Sequence, residues 1–139
     1  MPTTRSSASR RGLQITLGVL ALIPIGTGLL DVVGGPGTLP SPQHLNPDLE
    51  SNYRFFATIW LGFGLFLVWI IPRVEREVSL LRAVSGIVFA AGAARVLAMA
   101  VSGRPHPIFQ AAMVLELVAP PVLVLWQHRV AREAATARD

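Results

Sequence analysis

IFQAAMVLELVAPPVLVLW, residues 108–126, decides the fold. It is about the length of a membrane-spanning helix, which needs ~20 predominantly apolar residues, and it holds one charged side chain, Glu116. Working back along the chain, residues 80–101 form a second such stretch with Arg95 deep inside it. Residues 13–33 and 55–71 form two more. The last of these extends backwards. Asn46 suits an N-cap, Pro47 the first helical position, and Asp48 and Glu50 the positive end of a helix. The chain therefore reads as all-α, an integral membrane bundle of four antiparallel, up-and-down transmembrane helices at about 13–33, 47–71, 80–101 and 107–127.

Composition agrees. Of the 139 residues only 14% are charged and 52% are hydrophobic, against a charged share of about 25% in soluble domains. A soluble chain this short cannot bury that much apolar surface. The absence of cysteine excludes a disulfide framework and a thiolate metal site. The net charge of +4 comes from twelve Arg and eight acids. The Arg residues sit at segment ends instead of along one basic groove, so nucleic acid is not an expected partner. The lipid bilayer is.

Arg placement also sets orientation. Arg5, Arg10 and Arg11 precede the first stretch, Arg73, Arg76 and Arg82 surround the second loop, and Arg129, Arg132 and Arg138 follow the fourth stretch. The other side carries only Arg54 and Arg104. This positive-inside bias puts both termini in the cytoplasm, with residues 1–12 and 128–139 as cytoplasmic tails around a membrane domain at 13–127. The basic start and the apolar run also fit a cleaved signal peptide. The run is long and no clear small-x-small site follows it, so an uncleaved anchor is expected. The loop at 34–50, with Pro36, Pro40, Pro42 and several glycines, is the one long connection and the natural lid or docking element.

An ionisable group at membrane depth costs roughly 2.5–3.5 kcal/mol even on the lenient insertion scale and usually marks a function. Arg95 lies about six residues, or roughly 9 Å, below the end of its helix, and Glu116 about nine residues, or roughly 13 Å, into the next. The loop between them is short, so a direct or water-mediated Arg95–Glu116 contact is expected. Pro120 and Pro121 have no N–H for the carbonyls of Glu116 and Leu117, which predicts a kink just below Glu116 and two carbonyls seeking partners. Three readings of the pair stay open: a structural lock between helices, a binding pocket, and proton or ion handling. Asp31, Glu50, Asn52, Tyr53, Arg54, Arg104 and His106 gather at the same ends of the helices. Glu50 and Arg54 have the spacing of a helical surface pair, Tyr53 and Trp60 suit the membrane interface, and His106 suits a cap. His44, His106 and His128 do not cluster, so no metal site is expected. Gly86, Ala90 and Ala94 on the third helix, Gly18 and Gly26 on the first, and Gly62 and Gly64 on the second suggest close helix packing. No catalytic motif is present, and no cofactor is implied.

The run Glu50-Ser51-Asn52-Tyr53-Arg54-Phe55-Phe56 leading to Trp60-Leu61-Gly62 is one of several linked features. The others are Trp69-Ile70-Ile71-Pro72-Arg73, Gly92 to Arg95, Gly103-Arg104-Pro105-His106-Pro107, and Glu116-Leu117 with Pro120. Together they resemble the domain-of-unknown-function 4345 family of small bacterial membrane proteins. The resemblance covers nearly the whole chain outside the tails. It implies a four-helix integral membrane protein without an assigned activity, and it groups Asn52, Arg54, Arg95, His106 and Glu116 in one shared cluster.

The functional expectation is a non-enzymatic module in a bacterial inner membrane. It would bind a hydrophobic small molecule with a polar head, such as a lipid or isoprenoid, in an outward-facing cleft. Arg95, Glu116, Arg54, Asn52 and His106 would be the ligand-binding residues. The alternative is an accessory subunit that docks a membrane protein partner. A membrane enzyme using Glu116 as acid or base is a third reading, and it lacks a second catalytic group.

Overall fold

The computed structural model describes residues 4–41 and 46–136. Pro42, His44 and Arg138 lie outside the described residues. Four helices carry the chain: α1 (Thr4–Gly34), α2 (Pro47–Ile70), α3 (Val78–Ser102) and α4 (Pro107–Thr136). Short 3-10 turns at Gly35–Thr38 and Ile71–Arg73 follow α1 and α2. There is no strand among the described residues. Each long helix is apolar and long enough to cross a membrane, and no more than 22% of any of the four most hydropathic windows is buried inside the protein. Leu22, Phe56, Leu97 and Leu125 are among the large side chains left exposed. Surfaces this apolar are the faces a hydrocarbon solvent accepts and water does not. The chain is thus built as a multi-pass membrane protein.

Two compact units are present. One holds Gln14–Pro72. In it α1 and α2 run antiparallel. Gly28 meets the backbone of Leu61, where an added Cβ would lie 2.8 Å from the Leu61 nitrogen, and Gly64 meets Ile25 and Pro24. The Trp60 indole donates to the Thr27 hydroxyl at 2.9 Å. The glycines that allow the approach are Gly28 and Gly64; Gly26 and Gly62 face open space. Spacing shows which small residues share a face, but not whether that face turns inward. Asn46 caps α2 by accepting from the Leu49 N–H at 2.8 Å, with Pro47 as the first helical residue. At the far end the Gln14 side chain donates to the Ile71 carbonyl at 3.0 Å, where α2 gives way to its 3-10 turn.

The other unit holds the start of α1 through Leu13 together with the described residues from Arg73 onward. Here α3 and α4 pack along each other. Positions 81, 85, 88, 92, 95 and 99 are among the buried or half-buried ones of α3, and 109, 113, 116, 120, 123, 127 and 130 among those of α4. Both follow the alternating three- and four-residue step of a coiled-coil seam. The helices also extend into the segments expected as tails. α1 begins at Thr4 and α4 continues to Thr136. The extensions have partners: Arg10 pairs with Glu75, and the Trp126 indole donates to the Ser9 hydroxyl at 3.1 Å. Ala131, Arg132, Glu133, Ala134 and Ala135 are also strong helix formers.

Candidate functional site

Arg95 and Glu116 meet across the α3–α4 seam. The Arg95 Nε donates to Glu116 Oε2 at 2.8 Å. Glu116 is in place because it belongs to the inward row of α4, together with Pro120, Leu123, Gln127 and Val130. Arg95 follows Gly92 by one step on the inward row of α3. A Cβ at Gly92 would stand 3.0 Å from Glu116 Cβ and 3.0 Å from Leu117 Cγ, so the glycine lets α4 come close just where the charges pair. The Arg95 guanidinium also lies over the Phe109 ring, 5.8 Å from its centroid, a distance at which the ring face attracts a cation. α4 runs on as helix through Pro120 and Pro121. Neither proline carries an N–H for the carbonyl four residues back.

The pair is unequal. The Glu116 side chain is 10% exposed, the Arg95 side chain 40%. Only Nε of Arg95 has a protein acceptor among the described residues. A guanidinium carries five N–H donors, so the four on the two Nη atoms have no acceptor among the described residues.

The other expected site residues bond locally. Arg54, on α2, gives Nε to Glu50 Oε1 at 2.8 Å and Nη2 to the same oxygen at 2.6 Å. Its Nη1 donates to the Val33 carbonyl at 2.9 Å and to the Val32 carbonyl. These are last-turn carbonyls of α1, which have no amide partners of their own. Gly35 follows with φ +64°, the left-handed conformation that closes a helix, and a Cβ there would strike Arg54 and Glu50. Asn52 donates to the Asp48 carbonyl at 3.0 Å on its own helix. His106 is a cap: its Nδ1 lies 3.4 Å from the Ile108 N–H and its carbonyl accepts from Phe109 at 2.9 Å. The Thr38 hydroxyl lies 2.6 Å from Asp31 Oδ1 and 3.3 Å from the Tyr53 hydroxyl.

Three residues have contacts at or along this seam that sequence did not assign: Phe109, Gly92 and Gln127. Each was findable by spacing. Phe109 is seven residues before Glu116 and Gly92 three before Arg95, so each shares a helix face with a charge. Gln127 sits eleven after Glu116, on the same row. It is fully buried and donates to the Val74 carbonyl at 2.7 Å, fastening α4 to the linker before α3.

No curated protein and no solved structure matches the chain. A family model does, across residues 12–127, and its description is "Domain of unknown function (DUF4345)". The matched span contains all four apolar stretches and both members of the Arg95–Glu116 pair. The chain belongs to the DUF4345 family.

Proposed function

We propose that this membrane protein is a binding module that holds a lipid-like or isoprenoid molecule by its polar head at Arg95. The observation that carries the reading is the inequality of the ion pair. Glu116 is buried and holds Arg95 by Nε alone, which leaves both Nη groups on a half-exposed side chain within a candidate span. Donors in hydrocarbon that lack an acceptor cost several kcal/mol on the order of a lost hydrogen bond each. A ligand oxygen removes that cost. Phe109 supplies an apolar platform beside the guanidinium. Arg54, Asn52 and His106 take no part in ligand contact in this reading, because each is already engaged locally.

The membrane is a bacterial inner membrane in this proposal, with both termini cytoplasmic. The Arg distribution supports the orientation. The Arg10–Glu75 and Trp126–Ser9 contacts join the start of α1, the α2–α3 linker and the end of α4 at one end of a single unit, so whichever side one of them faces, all three share it. A periplasmic reporter fused after α4 is expected to be inactive; an active one contradicts the orientation.

A second reading has one observation of its own. Gly86, Ala90 and Ala94 form an exposed face of small residues on α3, the kind of surface that lets another helix approach closely. It favours an accessory subunit of a larger membrane assembly. Native mass spectrometry from gentle detergent separates the two. A defined small mass on the wild type that Arg95→Gln loses supports the binding module. A folded wild type with no bound mass, purified together with a membrane protein, supports the accessory subunit.

A further inference from the structure

The charge balance of the pair says which polar head fits, if the binding reading holds. Arg95 and Glu116 are in direct contact at 2.8 Å and together carry no net charge. An anionic head, a carboxylate or phosphate, would leave the site with one uncompensated negative charge beside a buried carboxylate. At membrane depth such a charge is heavily penalised, and the penalty grows as the dielectric falls. A neutral acceptor satisfies the same Nη donors and keeps the site neutral. We infer that the site selects a neutral, carbonyl-bearing lipid or isoprenoid over an anionic one, with the carbonyl oxygen accepting from the Arg95 Nη groups and the adjoining apolar part lying against Phe109. Glu116 is then the specificity-determining residue: it never touches the ligand, and it sets the charge the ligand must not bring.

Two sources supply this chemistry, the ester carbonyl of a bilayer glycerolipid and the ring carbonyl of a quinone-like isoprenoid. Four probes resolve them, each titrated into the full chain in a maltoside detergent that has no carbonyl. They are monoolein, the matching ether 1-O-oleylglycerol, decyl-substituted benzoquinone and oleate. The readouts are adducts in native mass spectra and the thermal midpoint. Wild type is expected to hold monoolein, the quinone or both, and to discriminate against the ether by about tenfold, the worth of one good hydrogen bond. Monoolein alone points to a glycerolipid, the quinone alone to an isoprenoid. Oleate is expected to bind wild type more weakly than the carbonyl probes, and Glu116→Gln is expected to invert that order, because it leaves Arg95 with an uncompensated positive charge.

Oleate preferred by wild type overturns the neutral-ligand inference and leaves the binding reading standing. No probe retained by folded wild type overturns both and makes the pair a helix lock. An ether retained as strongly as a retained monoolein overturns the carbonyl contact. These outcomes are read on wild type, so they hold even if Glu116→Gln fails to fold.

Discussion

Among the described residues two Arg–Glu pairs lie within the candidate spans, and they are built oppositely. In the α1–α2 unit, Arg54 engages all three nitrogens of its guanidinium. Nε and Nη2 hold Glu50, one turn away on the same helix, and Nη1 closes the last carbonyls of α1. In the α3–α4 unit, Arg95 reaches across to another helix and commits only Nε. Both side chains are 40% exposed, so exposure alone does not tell them apart. The carboxylates do: Glu50 is 39% exposed and Glu116 10%. An arginine engaged through all three nitrogens, with an exposed partner, explains itself as a helix cap. An unsaturated arginine held by a buried carboxylate is left with donors that the protein does not use.

The comparison is open to attack from several sides. The largest loss is expected from Arg95→Gln, which leaves Glu116 buried without its cation, at a cost on the order of 3 kcal/mol. Adding Glu116→Gln should recover part of it, and purely additive losses in detergent unfolding would contradict the contact. At the other pair, Arg54→Lys should cost about 1–2 kcal/mol, because a single ammonium cannot serve Glu50 and two carbonyls at once. Gly35→Ala should cost a similar amount, about 1–3 kcal/mol, through its positive φ and its contact with the pair; a neutral result would show that the α1 terminus relaxes. Asn46→Ala should lower stability by about 1 kcal/mol through loss of the α2 cap. The smallest effects, below about 0.5 kcal/mol, are expected for Asn52→Ala, whose side chain is exposed and bonded only to its own helix.

The four spans were plain in the sequence because twenty-residue apolar runs have few other fates. The Asn46-Pro47 start of α2 was plain because capping chemistry is local. The Arg95–Glu116 contact was legible for a topological reason: a loop of four residues, Gly103 to His106, forces α3 and α4 to be neighbours and puts the two charges at similar depth. What stayed hidden depends on which way a helix turns. Gly86, Ala90 and Ala94 share a face as their spacing says, but Gly92 is the residue that meets α4. Arg54 read as a surface pair with Glu50, and that pair is present; its grip on Val32 and Val33 joins residues over twenty positions apart, which no local pattern encodes. The helical ends of α1 and α4 were hidden because polar, Arg-rich sequence looks the same in a tail and in a solvated helix. Arg10–Glu75 and Gln127–Val74 are contacts between distant segments.

The most direct test uses native mass spectrometry with a temperature ramp, which reads unfolding and bound mass in one experiment, on wild type, Arg54→Lys and Arg95→Lys. Lysine keeps the charge at both positions and removes the planar fork. Arg54→Lys is expected to unfold earlier than wild type and to retain its bound mass. Arg95→Lys is expected to lose the mass and to unfold close to wild type that carries no bound mass, because an ammonium still serves Glu116. If both variants lose stability alike and the bound mass is unchanged or absent throughout, Arg95 is a structural arginine like Arg54, and the binding site is not there.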